Sequence, residues 1–251
     1  MKFWSLTLFC LLPLVLQGQD YQADSFEFEG QTLRFRYLEP HEPSAPVLLF
    51  LHGSGERGHD NQAQLAHGSE FLAQFKGLFR IIVPQCPADD YWSSVERSMD
   101  TASGQRHFAF QYQNDMTWAM RALVYMLDSL QETCHFDTQL SVIGGLSMGG
   151  MGAFELVYRR PGYFKKAFPI CGGGDPTAAS TMQHTGWWIF HGLRDDVVSP
   201  EHSQIMYQAL LKAGAKSRLT EYPEANHNSW DSAFQESGLP LWLWPGIHSH
   251  Q

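Results

Sequence analysis

The chain is poor in cysteine, in basic residues and in long apolar runs, and each shortage excludes a class of protein. It holds four cysteines in 251 residues, at positions 10, 86, 134 and 171. Their spacings match no zinc pattern and make no disulfide framework. Without Cys10, the odd set Cys86, Cys134 and Cys171 permits at most one intramolecular bridge. Lys and Arg number 17 against 26 Asp and Glu, for a net charge of −9. With no basic run or stripe, binding of nucleic acid through its phosphates is excluded. One long apolar run exists, "FWSLTLFCLLPLVL" after Lys2. About a dozen apolar residues interrupted by Pro13 are too few to span a bilayer. Followed by "QGQD", the run reads as an export signal over residues 1–18, cleaved after Gly18. The expectation is a secreted or periplasmic protein with no membrane association after cleavage. Internal repeats and low-complexity tracts are absent from the sequence.

What remains is enough for a sizeable core, since 43% of residues are hydrophobic and 17% charged. "FEFEG" and "TLRFRYLE" alternate apolar and polar residues around Gly30, predicting an antiparallel hairpin. "APVLLFLHG" is a continuous apolar run, the pattern of a strand buried on both faces. Similar runs recur at 80–84, 140–145, 166–174 and 187–192, the last placing Trp187 and Trp188 in the core. The more polar 217–223 suits an edge strand. Between them, 113–132 has helical periodicity, with Asn114 as candidate cap, and 200–213 starts at Pro200 and stops before Gly214. Strands alternating with helices predict a mostly parallel sheet of about eight strands with helices on both faces. Ligands of such sheets collect beyond the carboxyl ends of the strands. The longest stretch without clear periodicity, 85–112, falls over that same end and is read as an irregular, aromatic loop.

Gly145-Leu146-Ser147-Met148-Gly149 follows one strand and precedes a helix. A serine hydroxyl is a weak nucleophile and must project into a cleft to meet a base. A sharp strand-to-helix turn does this when small residues at −2 and +2 relieve the crowding. The helix start then aims free N–H groups and its dipole at a developing oxyanion. Alone the five-residue pattern is weak, and a glycine-rich packing turn would also produce it.

Two further residues lie past later strands, in the order such chemistry requires. "WWIFHGLRDD" places Asp195 and Asp196 beyond one strand, and "YPEANHNSW" places His227 beyond the last. Asp175 is a weaker candidate for the acid. His202 falls inside a helix, and His248 and His250 in the terminal tail, as exposed histidines. After the first buried strand, "HGSGERG" offers Ser54, or secondarily Gly55, as a backbone donor to the oxyanion. Met148, next to the serine, offers the other. Trp92 and Gly55 are candidate substrate contacts. Glu56, Arg57, Asp60 and Asn61 read as loop-internal pairs.

With these pieces in place, the chain resembles the α/β-hydrolase superfamily, and within it secreted bacterial proteins of the phospholipase/carboxylesterase type, relatives of feruloyl esterases and polyhydroxybutyrate depolymerases. "HGSGERGHDN", "VPQCP", "GGLSMGGMGAF", "PICGGGDP", "FHGLRDDVVSP" and "YPEANHNSWD" carry the likeness. The resemblance implies one catalytic domain over 19–251 without a large cap, and favours Asp195 over Asp196 as the acid. It implies Ser147, His227 and Asp195 acting through an acyl-enzyme, with no metal or organic cofactor. The expected substrate is a small-molecule or oligosaccharide ester, such as an acetyl or feruloyl ester of plant polysaccharide. Activity should rise through the histidine's titration and level off near neutral pH. A peptidase of the prolyl-oligopeptidase type and a non-catalytic binding module on the same scaffold are the competing readings.

Overall fold

The computed structural model describes residues 21–101, 104, 106–136 and 138–245. The expected signal segment, His248 and His250 lie outside these residues. β1 (Gln22–Phe28) and β2 (Gln31–Leu38) form the predicted hairpin, turning at Glu29 and Gly30, both with positive φ. β3 (Val47–Leu51), α1 (Ser69–Ala73) and β4 (Arg80–Gln85) follow. Next come β5 (Val95–Met99), β6 (Arg106–Phe110) and α2 (Trp118–Cys134). β7 (Val142–Leu146), α3 (Met148–Arg159), β8 (Lys166–Ile170) and β9 (Gly186–Gly192) lead to α4 (Glu201–Lys212). β10 (Ser217–Tyr222) and the short α5 (Trp230–Ala233) and α6 (Gly238–Leu243) end the fold.

Eight strands make one sheet in the order β1-β2-β4-β3-β7-β8-β9-β10. All pairings from β4 to β10 are parallel, and β2 joins antiparallel. The apolar runs are explained by burial on both sides. In β3, Val47, Leu49 and Leu51 enter one core, while Leu48 and Phe50 enter the other, because successive side chains of a strand point oppositely. β9 repeats this with Trp187 and Ile189 against Trp188 and Phe190. Buried residues of α2, α3 and α4 cover the first face, and those of α1, α5 and α6 the second. The fold is that of an α/β-hydrolase.

Two expectations are corrected. The 85–112 stretch contains a separate antiparallel hairpin, β5–β6. Its strands are half-exposed and polar, so no apolar periodicity announced them. Helix α2 starts later than predicted: Thr117, not Asn114, is the cap, its Oγ1 accepting the Met120 N–H at 3.1 Å. Asn114 instead donates to the Gln111 side chain within the preceding turn.

Register brings the strand ends into one line. Leu51 pairs with Gly145, Leu146 with Ile170, Ile170 with Phe190, and Tyr222 with Gly192. The loops leaving β3, β7, β9 and β10 therefore open onto one rim. β3, flanked by β4 and β7, is where strand order reverses, the place where such sheets bind ligands. The tightest point of the rim is the start of α3 on β3: a Cβ at Gly149 would overlap the Leu51 carbonyl, and one at Gly145 the Gly149 carbonyl. Gly149→Ala is expected to cost about 1–3 kcal/mol or more through overpacking. Gly55→Ala, whose Cβ meets open space, should stay within about 0.5 kcal/mol of the parent. Urea-unfolding free energies check this, and equal values for the two variants would contradict the packing account.

Candidate active site

Ser147 ends β7 with φ 53° and ψ −117°, a conformation a non-glycine residue enters at a cost of about 1–3 kcal/mol. Its N–H donates to the Ile170 carbonyl at 2.9 Å, tying the strained residue to the neighbouring strand. The sharp turn leaves the side chain at the rim, 8% exposed, with no role in capping the helix it precedes.

Ser147 Oγ lies 2.9 Å from His227 Nε2, and His227 Nδ1 lies 2.8 Å from Asp195 Oδ2. Since an ionised carboxylate only accepts, Nδ1 carries the proton and Nε2 is left to accept the serine hydroxyl's. Asp195 Oδ1 accepts the N–H groups of Val197 and Val198, each at 2.9 Å. Burial alone would raise its carboxyl. The bonds from His191, His227 and the Val198 N–H outweigh burial and hold it well below the usual carboxylate range. Asp196, the alternative acid, is exposed, and its N–H donates to the Asn226 side chain. Asp175 caps the short helical turn that follows it, through the Thr177 N–H.

Ser54 begins a single 3-10 turn after β3, and Met148 is the first residue of α3. N–H groups at a helix start have no acceptor within their own helix, which suits both for holding an oxyanion. Ser54 and Ser147 line the same cavity of about 390 Å³. Gly55 is exposed beside it. A larger depression of about 700 Å³, lined by Trp230 and Phe234, adjoins His227 through Trp230, ring centroids 5.6 Å apart, but does not include Ser147, so the serine chemistry belongs to the smaller one.

Trp92 is a correction. Instead of facing substrate it is wholly buried, its backbone against Gly152 of α3 and its ring edge-on to His52 at 5.5 Å. A side chain on an exposed-looking loop is drawn in because α3 has no Cβ at that point. His202, expected to be an exposed helix histidine, is half-buried between Phe108 and Phe110, with ring centroids 5.9 and 5.6 Å away. Asp60 and Asn61 are only partly loop-internal: Asp60 Oδ1 accepts from the Gln62 and Ala63 N–H groups of the loop but also from Gln85 of β4, and Asn61 donates to the Phe35 carbonyl of β2, tying the loop to the sheet.

Two buried polar residues escaped the sequence reading. His191 Nε2 sits 3.1 Å from Asp195 Oδ2 and 2.9 Å from the Val198 carbonyl, while Nδ1 meets Ser203 Oγ at 2.7 Å. The acid is thus gripped by two imidazoles. A histidine inside the apolar run "WWIFHG" was the available signal. Glu155 of α3, fully buried, accepts from Ser93 Oγ, the Ser94 N–H and Arg159, anchoring the chain ahead of β5. Its spacing of four from Arg159 was the signal there.

Cys171, Asp195 and His227 offer potential ligand atoms within 4.8 Å of one another. The set does not fit a metal, because burial pushes the Cys171 thiol up and Asp195 and His227 already hold each other. Cys86, Cys134 and Cys171 are free thiols.

The phospholipase/carboxylesterase family model matches residues 35–237. The chain belongs to that family. The family lies within the α/β-hydrolase superfamily, and the fold described above is of that kind. A thermostable esterase of known structure is 26% identical, with a TM-score of 0.72 over 90% of this chain. The chain spans 63% of that esterase's length. A ferulic acid esterase (17% identity, TM-score 0.60, 91% of this chain and 98% of that one) shares the fold. So does an acylaminoacyl peptidase from Pyrococcus horikoshii (14%, 0.59, 92% and 42%). No curated protein matches the chain in sequence.

His52, at the root of the loop after β3, is buried and neutral: Nδ1–H donates to the Gly53 carbonyl at 2.6 Å, and Nε2 accepts the Cys86 N–H at 2.9 Å. Burial lowers its pKa from 6.5 to about 4, opposed by the Gly53 bond and aided by Arg57. The unfolded imidazole binds its proton nearer 6.5. The stabilisation is therefore complete above that pH and lost as pH falls toward the folded value. The loss is about 3 kcal/mol. His52→Gln, which can keep both bonds, should reduce by that amount the drop in urea-unfolding free energy between about pH 7 and about pH 4.5. An undiminished drop would count against the assignment.

Proposed function

We propose that the chain is an exported serine carboxylesterase acting through an acyl-enzyme, with Ser147 as nucleophile, His227 as base and Asp195 as the acid that orients it. The observation that carries this reading is the continuous Ser147–His227–Asp195 contact, at 2.9 and 2.8 Å. Ser147 Oγ attacks the ester carbonyl as its proton passes to His227 Nε2. The resulting imidazolium faces the ionised Asp195, whose depressed pKa keeps it charged throughout the useful pH range. The backbone N–H groups of Met148 and Ser54 donate hydrogen bonds to the oxyanion of the tetrahedral intermediate. His227 then returns the proton to the departing alcohol oxygen. Water attacks the acyl-serine by the same relay, releasing the acid and restoring Ser147.

Asp195, held ionised well below the usual carboxylate range, does not set the acid limb of kcat/KM. The proposed export rests on the apolar segment after Lys2, and the proposed partner is an ester of a small molecule or oligosaccharide. Burial removes Trp92 from the candidate substrate contacts.

Ser147→Ala is expected to abolish both p-nitrophenyl acetate hydrolysis and labelling by a fluorophosphonate. Asp195→Asn should lower kcat by roughly 10³–10⁴ while the fold is retained. Full turnover by Ser147→Ala would sink the reading.

A further inference from the structure

The cavity that opens from Ser147 runs against the charge of the whole chain. The sequence carries 26 acidic and 17 basic residues, yet the cavity walls include Arg57, Arg97 and Arg106 and no aspartate or glutamate. Five of the arginines elsewhere, Arg80, Arg121, Arg159, Arg160 and Arg194, each hold a carboxylate. Arg57, Arg97 and Arg106 have no carboxylate partner among the described residues.

Their positions are set by neutral groups. Arg57 Nε donates to the Ser54 carbonyl at 3.0 Å and Nη1 to the Asp90 carbonyl at 3.1 Å. That fixes the guanidinium beside the proposed oxyanion loop without cancelling its charge. Arg97 lies over the Tyr91 ring, 4.1 Å from its centroid. Cross-strand pairing of Arg97 with Phe108 and of Met99 with Arg106 puts both arginines on one face of the β5–β6 hairpin, and all four residues line the cavity. Phe108 and Phe110 hold that hairpin to His202 of α4. Like charges gathered in a cleft repel one another and focus a positive potential. The arrangement is relieved by an anion, and the planar fork of a guanidinium matches a carboxylate through two parallel hydrogen bonds.

We infer that the ester cleaved at Ser147 carries a free carboxylate, bound by Arg97 and Arg106 of the hairpin with Arg57 adding to the field. Half-esters of dicarboxylic acids and esters on uronic-acid units have this chemistry. The inference rests on the hydrolase reading above and adds to it the charge of the substrate.

Two matched pairs of esters test it. Mono-p-nitrophenyl glutarate against p-nitrophenyl valerate places the charge on the acyl side. A 4-carboxyphenyl butyrate against its 4-carbamoyl analogue places it on the alcohol side. The anionic member of at least one pair should have the higher kcat/KM by about ten- to a hundredfold at low salt, and the preference should shrink as salt screens it. Arg97 and Arg106 are exposed, so their truncation leaves the core intact. In Arg97→Gln/Arg106→Gln the preference should collapse toward one, while Arg121→Gln, whose partner is Glu29, keeps it. Equal kcat/KM within both pairs, with neutral esters turned over, overturns the carboxylate and leaves the hydrolase standing. Should none of the four be cleaved, protection of Ser147 from fluorophosphonate decides. Protection by glutarate but not by glutaramide supports the carboxylate, protection by inorganic phosphate above glutarate overturns it, and absence of labelling overturns both readings.

Discussion

The backbone contact between the first turn of α3 and the end of β3 sets everything at the rim. With no Cβ at Gly145 or Gly149, the helix settles onto the Leu51 and Gly145 strand ends closely enough that a methyl group would collide with a carbonyl. That approach leaves Ser147 no ordinary conformation, and the left-handed backbone it adopts is what lifts Oγ off the sheet. The same proximity sets the loop after β3 beside the serine, so that Ser54 and Ser147 border one cavity. The strain at one residue and the geometry of a donor pair thus share a single cause, a packing distance.

Around that point, electrostatics is managed by burial and counter-burial. Asp195 is taken out of water yet kept ionised, because two imidazoles and two backbone N–H groups converge on it. His52, equally buried, is kept neutral by having a donor on one side and an acceptor on the other. A carboxyl and an imidazole, both buried, are therefore held in opposite charge states, one ionised and one neutral, for reasons local to each. His191 adds rigidity by linking the acid to Ser203, whose Oγ in turn donates to the Gly172 carbonyl. The acid's position is thus shared between β9, α4 and the turn after β8.

Much of this was legible beforehand, for physical reasons that can be named. Strands buried on both faces write continuous apolar runs, so β3, β4, β7, β8 and β9 were readable to within a few residues, and the polar β10 was readable as an edge. The residues that meet at the rim were readable because the fold confines them to strand ends in a fixed order. Less legible was anything decided by contacts distant in sequence. Nothing in "VERSM" or "RHFAF" alternates in a way that marks a strand, since that hairpin buries little and is held by pairing with itself and by His202. Trp92 looked available because its loop shows no periodicity, and the bare surface of Gly152 accounts for its burial. Asn114 and Thr117 are both good caps, and the choice between them fell to Asp90, whose Oδ2 accepts the Ala119 N–H, and to the Tyr91 carbonyl, which accepts the Thr117 hydroxyl.

The hairpin β5–β6 stands apart from the sheet, joined to the body by Val95, Phe108 and Phe110 packing on the core, by Arg97 over Tyr91 and by the Glu155 anchor ahead of it. The parts that would break a bond and the parts that would choose which molecule to break are consequently borne by different pieces of chain. Residues on the ribbon can be exchanged, or the ribbon lengthened, with no correction needed at the serine turn. An evolving lineage, or a protein engineer, could therefore retune selectivity by swapping that ribbon while inheriting the reaction chemistry unaltered.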